Sequence, residues 1–433
     1  MKRVLRKVFI LFLISAVASV YAEDRSKGAN LHLEIAGAHT KKAPLVVVGV
    51  GTQTDELLSV CITVAKDLGF TEQFDVFVEY IPGLTSQAQM HQWYKEKKAL
   101  AVCIQDNPAK EGFECRVYKT EKAAMVKGIR VSKNGPIARG WAHAIADAIL
   151  PVLTGNAGYF SGKLVYVNET KNALCVADYD GSHEQVLAPI RTAVIAPRWN
   201  KDLENPMVLF SEYTSKNIRL VACDMHGRKF AASSFEGLNM QPSFSSDGRE
   251  VVLCLSHEGS SQLYHYGYSK KDRQNVYTRL TFNEGNNISP TLLDNGDVIF
   301  CSDFENGRPA IYYLHRKKET IERLTEGGAS SPSYSPATEQ IAYIKMKDGV
   351  AQVMTYDLKT RKEKQITFDR VHKQECSWSY CGNYIVFAVH DGSSKRVAMY
   401  NLLAKTLKYI TPSHVVCSYP HWSFPYKEFP VVI

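Results

Sequence analysis

Between Leu31 and Leu153 the apolar positions alternate between short continuous runs and helical stripes. Pro44-Leu45-Val46-Val47-Val48-Gly49-Val50 is the β-branched run that a strand covered on both faces requires. Thr54 is placed as an N-cap for a stripe at Leu57, Leu58, Cys61, Ile62, Val64, Ala65 and Leu68, closed by Gly69. The pattern predicts strands over Asp75–Tyr80, Ala99–Gln105 and Cys115–Tyr118 and a helix over Thr85–Lys97. A last helix is predicted from Pro136, with a stripe at Ile137, Trp141, Ala144, Ile145, Ala148 and Ile149. This is an α/β or α+β unit. Gly49-Val50-Gly51 between strand and helix invites a dinucleotide reading, but threonine stands at position 54 where the third glycine belongs. A plain strand-to-helix turn accounts for it.

After Thr154-Gly155-Asn156-Ala157-Gly158 the helical period disappears and short strands repeat. The motif appears as Ala196-Pro197-Arg198-Trp199, Gln241-Pro242-Ser243-Phe244, Ser289-Pro290-Thr291-Leu292, Ser331-Pro332-Ser333-Tyr334, Glu375-Cys376-Ser377-Trp378 and Tyr419-Pro420-His421-Trp422. Each of the first five copies is followed by an apolar run, a polar turn and a third strand. Four close alike, at Leu280-Thr281, Leu324-Thr325, Ile366-Thr367 and Ile410-Thr411. Four short strands per repeat is the size of a propeller blade. Lys163–Val167, Ala173–Ala177 and Gln185–Leu187 lack a first strand, whereas Tyr419–Ser423 is a first strand without followers. Joining them completes a six-bladed ring and removes its free edges. The predicted architecture is therefore multidomain: a signal peptide over 1–22, an N-terminal α/β domain over 23–157 and an all-β, six-bladed propeller over 158–433.

Composition narrows the function. The net charge of +8 includes Lys2, Arg3, Arg6 and Lys7, and no basic run or helix face follows, so nucleic-acid binding is not indicated. Those four residues, the apolar stretch Val8–Val17 and Val20-Tyr21-Ala22 read as a secretory signal, giving an exported, soluble chain from Glu23 onward. The ten cysteines form no C-x-x-C pair. The spacing of Cys103 and Cys115 allows a disulfide across a hairpin, while Cys254 and Cys301 read as small core residues. No G-x-S-x-G occurs and the histidines are scattered. The positions facing a channel are Arg198, Ser243, Thr291, Ser333, Ser377 and His421, with Glu375 the one acidic neighbour. Such a lining suits a peptide or loop better than a metal-activated water.

The signal, the small α/β domain and the propeller repeats together resemble the TolB family, the periplasmic β-propeller component of the Tol–Pal system. The resemblance is most specific at Leu153-Thr154-Gly155, Lys163–Val167, Val176-Ala177-Asp178-Tyr179-Asp180-Gly181 and Tyr419-Pro420-His421-Trp422-Ser423. It implies a non-enzymatic, monomeric periplasmic adaptor without cofactors, supporting outer-membrane integrity and envelope constriction during cell division. The resemblance places Pal, the peptidoglycan-associated lipoprotein, at the channel mouth, against Leu238, Asn239, Gln241, Asn287, Ile288, Ser289, Ser331 and Glu375. TolA, from the inner membrane, would engage the mature N-terminus at Glu23, Asp24, Arg25, Ser26 and Lys27. Leu292, Cys376 and the number of cysteines depart from the family pattern. The alternative is a secreted carbohydrate-active propeller, a lyase or lactonase, with a metal in its channel. A propeller in an outer-membrane protein-insertion complex is a third possibility.

Overall fold

The computed structural model describes residues 42–424, apart from 84, 108, 110, 134–137, 203, 246, 257, 270–271, 273 and 393. The proposed signal, the TolA-directed residues Glu23–Lys27, and Pro136 and Ile137 of the predicted last helix lie outside the described residues.

The first unit is a five-stranded mixed sheet built from β1 (Ala43–Val50), β2 (Phe74–Ile81), β3 (Leu100–Asn107), β4 (Gly112–Lys119) and β5 (Ala124–Ser132), in the order β2-β1-β3-β4-β5. β1 pairs in parallel with β2 and β3. The hairpins β3/β4 and β4/β5 are antiparallel. Helix α1 (Asp55–Phe70) is capped by Thr54, whose hydroxyl accepts the Leu57 N–H at 3.1 Å. Helix α2 spans Gln87–Lys95 and α3 spans Ala138–Thr154. Gly51, at φ +112°, makes the strand-to-helix turn. The strand β5 has no counterpart in the sequence reading, because only two of its nine residues are even half-buried and no apolar pattern marks it.

The disulfide that the spacing of Cys103 and Cys115 allows is not made; every cysteine is a buried thiol. Cys115 stands opposite Ile104 and Cys103 opposite Arg116. Side chains alternate faces along a strand, so a one-residue offset sends the two thiols to opposite sides of the sheet. Cys115 packs with α1 and α3, and Cys103 packs with Met90 and Trp93 of α2.

The remainder is a six-bladed β-propeller of four-stranded antiparallel sheets. Blade 1 takes its inner strand, Cys417–Trp422, from the far end of the chain and pairs it with Lys163–Asn168, bringing His421 opposite Val165. Blades 2 to 6 begin with inner strands Val194–Trp199, Asn239–Phe244, Asn287–Leu292, Ala329–Ser335 and His372–Trp378. The repeat aromatics Trp199, Phe244, Trp378 and Trp422 are buried, and Leu292 fills the same place in blade 4. One apolar cluster runs from the α1 and α3 faces into Tyr159, Tyr179, Tyr384 and Trp422 of the propeller.

Candidate functional site: the channel and the two faces around it

All six inner strands carry the same irregularity. The residue ahead of the repeat proline, or ahead of Cys376, has a left-handed φ: Ala196 +49°, Gln241 +52°, Ser289 +51°, Ser331 +53°, Glu375 +46° and Tyr419 +55°. Pairing with the second strand slips at each of these points. A left-handed non-glycine residue is strained, and proline next in sequence disfavours it further. The bulge it creates turns the next side chains inward and to the adjoining blade.

Those side chains form a belt around the channel. Ser243 Oγ accepts the N–H of Leu292 at 2.8 Å, Ser333 Oγ that of Trp378 at 3.3 Å, and Ser377 Oγ that of Trp422 at 3.2 Å. His421 Nδ1 accepts the Trp199 N–H at 3.3 Å, and Thr291 Oγ1 donates to the Pro332 carbonyl at 2.9 Å. Each bond joins one blade to the next, so the predicted channel positions hold the ring together as well as line it. Ser377→Ala strands the buried Trp422 N–H, and a lower melting temperature, worth about 1–3 kcal/mol, is the expected result of a thermal melt.

Together with Trp199, Lys201, Tyr334 and Tyr380, these residues enclose a cavity of about 400 Å³. Burial pushes His421 well below its ordinary pKa, with the Arg198 and Lys201 charges acting in the same direction. Burial raises Glu375 to about 7 against the opposing pull of Arg198 and the Tyr419 N–H, and its Oε2 has no hydrogen-bond partner among the described residues. Among the described residues no group of three His, Cys, Asp or Glu is placed to hold a metal ion.

The front of the ring is the side where chain leads into each inner strand. Leu238, Gln241, Ile288, Ser289, Ser331 and Glu375 gather there, the first two, Ile288, Ser331 and Glu375 half-buried and Ser289 buried. Asn239 and Asn287 reach the same rim but are fully buried. The Asn239 amide donates to the Ile218 and Phe235 carbonyls at 2.9 and 2.7 Å, and that of Asn287 donates to Gln262 Oε1 at 2.9 Å. Both brace the loops instead of presenting side chains. Phe282 and Phe368 are 75% and 76% exposed, and Phe235, Tyr213 and Met346 are exposed on other loops and strand ends. The same loops carry exposed Glu236, Glu284, Glu326, Asp348 and Asp391. Sequence reasoning missed the two phenylalanines, although both follow the shared Leu/Ile-Thr ending of their blades.

It also missed a buried charged cluster where α3 meets blade 1. His143 Nδ1 lies 2.7 Å from Asp67 Oδ2 on α1, and Nε2 lies 3.5 Å from Asp178 Oδ2 of the propeller. Arg139 Nε donates to Asp178 at 2.6 Å, Lys163 pairs with the same carboxylate, and the Tyr179 hydroxyl donates to Asp67 at 2.9 Å. Burial alone would push His143 down, but the hydrogen bonds and charges of Asp178 and Asp67 more than offset it and raise it to about 9. Burial likewise works to raise Asp178, but His143 and Lys163 hold it well below the usual carboxylate range. A second contact joins α1 to blade 6. Lys408 Nζ lies 2.5 Å from Glu72 and donates to the Phe70 carbonyl at 2.9 Å, and Thr406 donates to Glu72 at 2.7 Å. The signals were available: Asp67 shares a helical face with Val60 and Val64, and His143 shares one with Ala146 and Ile149. Asp178 and Tyr179 belong to the Val176–Gly181 segment that carries the family resemblance.

These features define a class: a closed six-bladed propeller with a bulged polar channel, joined to an α/β unit at its closing blade and at blade 6. The chain belongs to the TolB family, its residues 151–426 matching the TolB beta propeller domain. It is similar to the Tol-Pal system protein TolB of Francisella tularensis subsp. mediasiatica (strain FSC147), 27% identical over 248 residues, covering 53% of this chain and 55% of that protein. The corresponding protein of subsp. holarctica (strain OSU18) is 28% identical over 255 residues, with the same coverage. The chain thus spans about half the length of the curated relatives it matches. The crystal structure of TolB from Acinetobacter baumannii shares the fold, with a TM-score of 0.75 at 23% identity, over 91% of this chain and 99% of that one.

Proposed function

We propose that this chain is an exported, non-enzymatic adaptor of a Tol–Pal system, holding a Pal-like lipoprotein domain against its front rim and supporting envelope integrity and constriction. The observation that carries the reading is the front surface itself. Phe282, under the Arg279 guanidinium, and Phe368 are largely exposed, and aromatic side chains exposed in a well-braced rim are the usual anchors of a protein interface. The loops around them carry exposed carboxylates and exposed cations such as Lys216, Arg308 and Arg370, so the partner they suit has apolar pockets and charges of both signs. Leu238, Gln241, Ile288, Ser289, Ser331 and Glu375 form the floor beneath these anchors, with Asn239 and Asn287 setting the loop shape. The family name of the relatives supports the assignment to this system. Export by residues 1–22, and engagement of a TolA-like protein by Glu23, Asp24, Arg25, Ser26 and Lys27, complete the proposal.

Titration calorimetry with the soluble domain of the organism's own Pal tests it. Phe282→Asp combined with Phe368→Asp is expected to weaken binding at least about tenfold, as the loss of two anchors should. The melting temperature is expected to stay nearly the same because both rings are three-quarters exposed, with the Arg279 guanidinium 5.1 Å from the Phe282 centroid. Unchanged affinity would remove the front rim from the proposal. Deleting 23–30 is expected to leave Pal binding intact and abolish TolA binding; loss of both would assign the terminus a structural role.

A further inference from the structure

Arg198, Lys201, Ser243, Ser333, Ser377 and His421, charged and polar side chains that line the channel, can all present hydrogen-bond donors to it, set among apolar walls. Arg198 spends one N–H on its own neighbour, the Pro197 carbonyl, at 3.0 Å. Among the described residues neither Arg198 nor Lys201 has a carboxylate within ion-pair distance, although both line the same cavity. The acidic groups whose charge acts on them, Glu375 and Asp294, do not neutralise them. Burial outweighs these charges and pushes both cations below their ordinary pKa values. His421 accepts a backbone N–H at Nδ1, so its neutral ring carries its proton on Nε2 and is a donor there. Ser243, Ser333 and Ser377 likewise accept backbone N–H groups through Oγ, which leaves each O–H to donate. Lys201 Nζ lies 5.4 Å from the Phe424 ring centroid, and both cations are half-buried in the lumen, where an anion would complete them and the free donors beside them. The remaining wall is apolar, made by the repeat prolines Pro242, Pro290 and Pro332 and by rings that include Trp199, Tyr334 and Trp378.

We propose that the channel is a binding site for a small organic oxyanion, a carboxylate or phosphate on a compact ring-sized body, held by Arg198 and Lys201 with His421 and the belt serines donating to it. A volume of about 400 Å³ suits a ligand of that size. The apolar walls would cover its uncharged faces. This site lies in the lumen behind the front rim and needs no protein partner, so it stands or falls separately from the adaptor reading.

Titration calorimetry on the purified full chain, with glucuronate, inorganic phosphate and glucose as probes, tests it. Glucuronate is expected to bind with a Kd below about 1 mM, phosphate more weakly, and glucose not measurably. Arg198→Gln is expected to weaken glucuronate at least about tenfold and Lys201→Gln several-fold, with melting temperatures preserved. Lys201→Gln is the second handle should Arg198→Gln disturb the fold. The proposal is overturned if neither anion binds at 10 mM (roughly the weakest useful affinity), if glucose binds as well as glucuronate, or if folded variants bind like the parent chain.

Discussion

His143→Ala is expected to be among the most destabilising single substitutions in this chain, costing about 3–5 kcal/mol in a denaturant titration. The reason is not the lost ring but the charge it leaves behind. Asp67 and Asp178 are 1% and 3% exposed; without His143, Asp178 keeps Arg139 and Lys163, but Asp67 is left as a buried carboxylate with the Tyr179 hydroxyl and no ion-pair partner among the described residues. Tyr179→Phe, which removes only one donor to Asp67, is expected to cost about 1 kcal/mol. The cluster also fixes a pH dependence. The folded pKa of His143 is raised to about 9, so its contribution is fully present below about pH 6.5, its unfolded value, and is lost as pH rises through 9. Asp178 is lowered, so its contribution is present above about pH 4 and is lost on acidification. Asp67, raised by burial, works the other way above its unfolded value and trims the plateau. Melts across pH 5 to 9.5, about the span of these pKa values, should show stability falling on the alkaline side in the parent chain. His143→Ala should lack that fall. A parent curve that is flat from pH 6.5 to 9.5 would show that His143 is neutral.

A chain ending at Val416 is expected to lose cooperative unfolding and to aggregate. Its blade 1 would keep three strands, and Lys163–Asn168 would become an open, apolar edge beside the channel. Trp422 would be lost with it, and with it the N–H that Ser377 accepts and the ring packing against Tyr384 and Tyr159. The milder Trp422→Ala keeps the strand and isolates the side chain. It is expected to cost about 3–5 kcal/mol, because the surrounding blades cannot collapse into the space left behind. A truncated chain that melts like the parent would mean that the ring is held by its blade-to-blade belt alone.

Much of this was legible because a propeller is written in repeats. The proline positions, the aromatics two residues on and the Leu/Ile-Thr endings each report the same local demand in successive blades, and chance does not reproduce them. The same repetition located the channel positions, since the residue between proline and aromatic must point inward. The N-terminal unit was readable wherever burial was one-sided. Ile62, placed on the buried stripe of α1, is 38% exposed, while Val60 and Asp67 are buried. The reason is that α1 is covered by the sheet and by the propeller, not by one neighbour. The exposed β5 left no pattern to read.

What the sequence determined by itself was the ring: its blade count, its closure by strands from opposite ends and the polar character of its lumen, all of them consequences of local periodicity. Only the tertiary structure decided which polar residues act together. The cysteines on β3 and β4 were parted by a register offset of one residue, and Asn239 and Asn287 were drawn inward by loop carbonyls. His143 met Asp67 76 residues away and Asp178 on the propeller. Such encounters depend on where whole elements pack, and no short-range pattern records the distance between two chain segments that fold apart and then dock.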